Sequence, residues 1–126
     1  MRRIVQKYGG SSLADVGKIL DVAKRVGQAH DQEDQVVVVV SAMGDMTDEL
    51  MGMAQQISRT PDLRELDVLI STGELKSGAL MAIALRSLGF DAISLSGSQA
   101  GIHTDTGFGK ARIASLDPKR VLGELA

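Results

Sequence analysis

The chain has 126 residues, 44% of them apolar and only 2% aromatic, with a formal net charge of −2 and no cysteine. That length allows one domain with a real core, the apolar content argues against disorder, and the missing thiols exclude disulfides, thiolate nucleophiles and cysteine-held zinc. With a slightly acidic balance and only Tyr8, Phe90 and Phe108 as aromatics, the chain has neither the basic footprint nor the stacking surfaces of a nucleic-acid binder.

Arg3–Lys7 reads as a first strand. Ser12 can cap the helix that follows, with Asp15 three residues on completing a capping-box pattern. Leu13, Val16, Ile19, Leu20, Ala23 and Val26 then recur at helical spacing, so this helix has one buried face. Val36–Val40 is an unbroken β-branched run, the pattern of a parallel strand covered on both faces. Two strands with a helix between them make a βαβ unit.

A second helix is expected over Thr47–Ile57, and Pro61 breaks the chain. Leu63–Ile70 reads as a short helix, and a longer one runs from Gly73 or Glu74 to Leu88, where Gly89 ends it. Asp91–Ser96 is a third strand by pattern and 97–109 a Gly-, Ser- and Thr-rich loop. Ala111–Ala114 is a fourth short strand, and Asp117 or Pro118 starts a last helix. The order predicts an α/β sandwich with a largely parallel sheet. The apolar stretch Ala79–Leu85 is too short to span a membrane. No apolar segment backs Arg2 and Arg3 as in a signal peptide. A cytoplasmic protein without a membrane partner is expected.

Three segments carry candidate chemistry. In open α/β sheets, ligands gather outside the carboxyl ends of the strands, where "KYGGSS" (7–12) and "SAMGDMT" (41–47) both fall. Gly9 and Gly10 leave backbone N–H groups uncovered before a helix start, and Lys7 adds a full positive charge, which together suit an anion. A turn with a solvated lysine would give the same letters. The loop is not a Walker motif, because no Gly-Lys-Ser/Thr follows, nor a dinucleotide fingerprint. No Gly-x-Ser-x-Gly elbow is present, and His30 and His103 have no triad or metal-ligand setting. Ser41 and Thr47, with Asp45 and Asp48, read either as a turn closed by a helix cap or as a polar pocket wall. Glu74 reads either as a first-turn glutamate favoured by the helix dipole or as a carboxylate awaiting a ligand ammonium group. Lys110, Arg112, Lys119 and Arg120, with Asp117 and Glu124 beside them, read as a solvated face.

The stretches 7–12, 36–50, 64–74 and 88–113, in this order and spacing, resemble the aspartate kinases of the amino-acid kinase family. The resemblance implies a three-layer α/β/α sandwich and transfer of the γ-phosphoryl group of Mg-ATP to the β-carboxylate of L-aspartate, the first step toward lysine, threonine and methionine. It implies that Lys7, Tyr8, Gly9, Gly10 and Ser11 hold the phosphoryl group, with Lys7 catalytic. Ser41 and Thr47 line the aspartate pocket, and Glu74 pairs with the α-ammonium group. No protein-held metal is implied, and a homodimer is expected for the full-length enzyme.

The chain departs from the family at Glu74-Leu75-Lys76-Ser77, where Lys76 replaces an apolar residue, and at Gly78 and His103. The Gly-Arg-Gly-Gly-Ser-Asp stretch of the family's nucleotide half does not occur, nor do regulatory modules. Residues 1–126 therefore read as the amino-acid-substrate side of the kinase domain, expected to be inactive alone. The alternatives are a kinase of the same fold for acetylglutamate or a nucleoside monophosphate, and a non-catalytic module that binds an amino acid or a partner. An acetylated amine has no cation for Glu74, and a stand-alone module would not leave apolar faces bare.

Overall fold

β1 (Arg3–Lys7) and β2 (Gln35–Val39) run parallel, with Ile4 opposite Val36, Gln6 opposite Val38 and Lys7 opposite Val39, in a computed structural model that describes residues 1–126. The crossover between them is α1 (Val16–Asp31), as the βαβ reading requires. Ser12 does not cap it. Residues Gly10–Leu13 first form a short 3-10 turn that buries Leu13 completely. Asp15 is the cap, its carboxylate accepting from the Lys18 backbone N–H at 2.8 Å. The requirement to bury Leu13 moves the helix start three residues on.

α2 (Met46–Ile57) follows. α3 (Leu63–Ser87) then replaces the two helices expected here with one of 25 residues. Asp62 caps it by accepting from Glu65 N–H. At its far end Gly89, at φ +90°, donates to the Arg86 carbonyl, and Phe90 N–H donates to Leu85. That pair of bonds is a Schellman stop. By length and a mean hydropathy of 1.4, α3 would suit a membrane span. One stripe of it, Gly73, Ser77, Met81, Ala84 and Leu85, is buried, while Leu63, Val68, Leu75 and Ile83 are exposed.

The core joins α1 to α3. Leu13, Ile19, Val22, Ala23 and Val26 pack with Met81, Ala84 and Leu85, and Val36, Val38 and Val40 close the layer from the sheet. Each well-buried aliphatic side chain there contributes roughly 1.5–3 kcal/mol. The opposite face of the sheet is different. Val5 is 66% and Val39 43% exposed, so these residues cover one face of the strand pair, where the valine run predicts cover on both.

The expected strand Asp91–Ser96 forms no ladder; the Arg86 guanidinium takes the Ala92 carbonyl at 2.8 Å instead. The remaining strands are β3 (Ile102–Thr104), inside the expected loop, and β4 (Ile113–Leu116), two residues beyond the expected strand. They pair antiparallel as a hairpin. Its base is tied where Asp117 N–H donates to Gly101, and its tip where Gly109 N–H donates to the Asp67 carboxylate of α3. The last helix, α4 (Lys119–Leu125), is reached through Pro118, and its Leu125 carbonyl accepts from the Gln35 side chain.

Candidate functional site

The carboxyl ends of β1 and β2 bring the sequence-predicted segments together. Tyr8 N–H extends the ladder to the Val39 carbonyl at 2.9 Å, and the chain then turns through Gly9 and Gly10. Across from it, residues 41–45 leave β2 and turn at Gly44, whose φ of +50° lies in the left-handed region. The Gly44 N–H donates to the Gly10 carbonyl at 2.9 Å. The approach is close enough that a β-carbon on Gly10 would sit 2.8 Å from the Ala42 oxygen.

α3 comes down on the same loop. A β-carbon on Gly73 would lie 3.2 Å from both Ala42 Cβ and Met46 Cγ. One on Gly78 would lie 3.8 Å from Ser94 Cβ and 4.0 Å from Val40. Glu74 follows Gly73 on α3 and is exposed. The Lys7 turn and the Ser41–Thr47 loop are therefore in contact, and α3 meets that loop at Gly73.

Lys7 is exposed at the end of β1, on the face that also carries Val5 and Val39. Ser41 and Thr47 are half-buried, and Glu74 is exposed. The α2 cap position is Asp45, with no side-chain capping bond, so Thr47 does not serve as the cap. Neither Lys7 nor Glu74 enters any of the ion pairs, which are Arg2–Asp34, Arg64–Glu65, Arg86–Asp91 and Arg120–Glu124. One cation at the end of β1 and one carboxylate on α3 thus stand unpaired. Both remain available to a ligand carrying an anion and an ammonium group.

Tyr8 is placed differently from Lys7. Its ring packs against the core and its hydroxyl donates to Gln6 at 2.8 Å, which leaves its backbone, not its side chain, facing the turn. Gly9 is exposed, and Ser11 lies in the 3-10 turn with its carbonyl accepting from the Lys18 ammonium at 3.1 Å. The start of α1 is six residues beyond Gly10 and already carries the Asp15 carboxylate as its cap. The helix dipole therefore does not open onto the double glycine.

The sequence reading passed over several residues that matter to this geometry. Lys18 stands on the first turn of α1 and reaches back seven residues to Ser11. With Ser12, Asp21 and Arg25 it borders a polar groove of about 270 Å³. Ala42, Gly44 and Gly73 are the small residues through which the three segments touch. Their signal in the sequence was only an absence of bulk. His103 and Lys76, noted as departures, are exposed on β3 and α3. No group of three His, Asp or Glu side chains comes together to hold a metal ion.

The profile of the amino acid kinase family matches residues 2–124. An aspartokinase of Mycobacterium tuberculosis is 50% identical over 121 residues, covering 96% of this chain and 29% of that protein. One of Geobacillus stearothermophilus is 50% identical over 118 residues, covering 94% and 29%. The chain thus spans less than a third of the length of the curated relatives it matches. Among solved structures, the aspartate kinase from Synechocystis superposes with a TM-score of 0.75 at 49% identity, over 77% of this chain and 17% of that one. Escherichia coli aspartokinase III, in complex with aspartate and ADP, gives a TM-score of 0.80 at 22% identity, over 96% of this chain and 38% of that one. These likenesses show the α/β fold of that family; in residues 1–126 its parallel part is the β1–β2 pair, covered on one face by α1 and α3, and β3–β4 is a separate antiparallel hairpin.

Proposed function

The chain belongs to the amino acid kinase family, and from that premise we propose that it is the aspartate-side part of an aspartate kinase. The reaction is transfer of the γ-phosphoryl group of Mg-ATP to the β-carboxylate of L-aspartate, giving aspartyl β-phosphate. The acceptor is a carboxylate already ionised near neutral pH, so no general base is required. What the reaction needs is alignment of two anions and relief of their repulsion.

This reading is supported by the Gly44–Gly10 hydrogen bond between the Lys7 turn and the Ser41–Thr47 loop, by α3 lying against that loop at Gly73, and by Lys7 and Glu74 both being free of ion pairs. Lys7 and the Gly9–Ser11 backbone hold the phosphoryl group, Ser41 and Thr47 take the acceptor's polar groups, and Glu74 takes its ammonium group. Mg²⁺, bound with ATP, would offset the negative charge of the phosphates that Lys7 also faces. No segment of these 126 residues is assigned to the adenine side, and the chain alone is expected to show no kinase activity. The open sheet face at Val5 and Val39 supports that division, because apolar strand faces are ordinarily covered. Homodimerisation of the full-length enzyme, a cytoplasmic location and supply of lysine, threonine and methionine synthesis belong to the same proposal.

The test is a calorimetric titration of the purified chain with L-aspartate, against D-aspartate, L-glutamate and N-acetylglutamate. Selective heat with L-aspartate that disappears in Glu74→Ala supports the reading. Equal response to N-acetylglutamate, or indifference to Glu74→Ala, removes the assigned role of Glu74 and with it the aspartate assignment.

A further inference from the structure

We infer that Gly44 is a positioning residue, whose N–H bond to the Gly10 carbonyl makes the phosphate turn and the acceptor loop a single pre-formed unit. The inference rests on the aspartate-kinase reading of the site and adds to it a residue outside the substrate-contacting set.

The 41–45 loop leaves β2 with no ladder partner of its own, since β2 ends at Val39. Gly44 is where that loop is anchored across the strand ends, through a 2.9 Å bond to Gly10. The anchor depends on backbone shape. Gly44 adopts φ +50°, and a β-carbon there would meet only Ala14 Cβ and Cα, at 3.7 and 3.8 Å. Space is therefore not the constraint at this position; the left-handed conformation is. Asparagine adopts that conformation with little penalty, whereas a β-branched residue is an outlier in it.

A replacement that leaves the left-handed region turns the residue 44 amide away from Gly10 and frees the two loops from each other. A ligand that contacts both loops must then order them on binding, which weakens its affinity. Because Gly44 N–H is already engaged by Gly10, its contribution is made before any ligand arrives.

The experiment compares Gly44→Asn and Gly44→Val in the ¹⁵N-labelled chain. It reads amide exchange at position 44, resonances of residues 9–12, and L-aspartate affinity. Gly89→Val is the control, because Gly89 is also left-handed, at φ +90°, with nothing near its β-carbon and a place at the end of α3. Gly44→Asn is expected to keep the protected amide, the 9–12 resonances and the affinity. Gly44→Val is expected to lose the protection, shift residues 9–12 and bind L-aspartate about tenfold more weakly. Gly89→Val is expected to lower thermal stability while leaving the loop resonances and the affinity in place. If Gly44→Val binds L-aspartate as the parent does, or Gly89→Val weakens binding equally, the positioning role is overturned and the aspartate reading stands. If the parent chain binds no L-aspartate while its Gly44 amide is protected, the aspartate reading fails and takes this inference with it.

Discussion

Gly10 lies so close to Ala42 that a single added methyl group would stand 2.8 Å from the Ala42 carbonyl oxygen, and 3.0 Å from that of Gly44. Both obstacles are backbone, so neither can rotate away. Gly9, next in the chain, has φ −80° and no atom within 4 Å of a built β-carbon. Gly10→Ala is therefore expected to destabilise the chain by about 1–3 kcal/mol, as overpacking does. Gly9→Ala should change stability by no more than about 0.5 kcal/mol. Urea unfolding of the two variants checks the contrast; equal loss in both would mean that the strand-end loops are not in contact.

α3 offers a second pair of glycines with opposite expectations. At Gly78 an added β-carbon would make ordinary contacts of 3.8 and 4.0 Å, so Gly78→Ala should recover helix propensity worth up to about 1 kcal/mol. At Gly73 the same change meets Ala42 Cβ and Met46 Cγ at 3.2 Å. The propensity gain there is offset by pushing α3 off the acceptor loop. Thermal melts should show Gly78→Ala above the parent and Gly73→Ala at or below it, with L-aspartate binding impaired only in the latter.

These glycines also mark the limit of what the sequence made legible. β1, α1, β2 and α2 follow from apolar spacing, and the Lys7 and Ser41–Thr47 segments were visible as strand-end chemistry; Glu74, read as a first-turn glutamate, lies instead in the middle of α3, whose first turn carries Glu65. The single helix α3 was not visible, because Gly73 looks like a break until Ala42 and Met46 are seen against it. Nor was the fate of 91–96, whose strand-like pattern meets an arginine that takes the Ala92 carbonyl out of any ladder. The double glycine suggested a helix start that the burial of Leu13 moved to Val16. In each case a long-range contact decided between local conformations of similar propensity.

Asp34 makes a different kind of prediction. Its side chain is 4% exposed and accepts from Arg2 at 3.0 and 3.3 Å, tying the residue before β1 to the one before β2. Arg2→Ala leaves that carboxylate without its donor at a buried position, at a cost of about 1–3 kcal/mol. The Arg2 side chain is 74% exposed, so water tempers the loss toward the lower end. Arg2→Ala and Asp34→Ala combined in a double-mutant cycle should show clear coupling; strictly additive losses would mean that the pair contributes nothing as a pair.

The valine-rich sheet permits a direct test of which face is covered. Val38 packs against the α1–α3 core, whereas Val5, on the other face, is 66% exposed. Threonine matches valine in shape, so Val→Thr isolates the hydroxyl group from any change in volume. On the core side that hydroxyl has to be buried among aliphatic neighbours, and Val38→Thr should cost roughly 1–3 kcal/mol. On the open side it meets water, and Val5→Thr should stay within about 0.5 kcal/mol. If Val5→Thr proves as costly as Val38→Thr in the purified chain, something covers the second face in solution. Sedimentation of that variant beside the parent would then show whether the cover is a second copy, since loss of the hydroxyl-sensitive contact would lower the associated fraction.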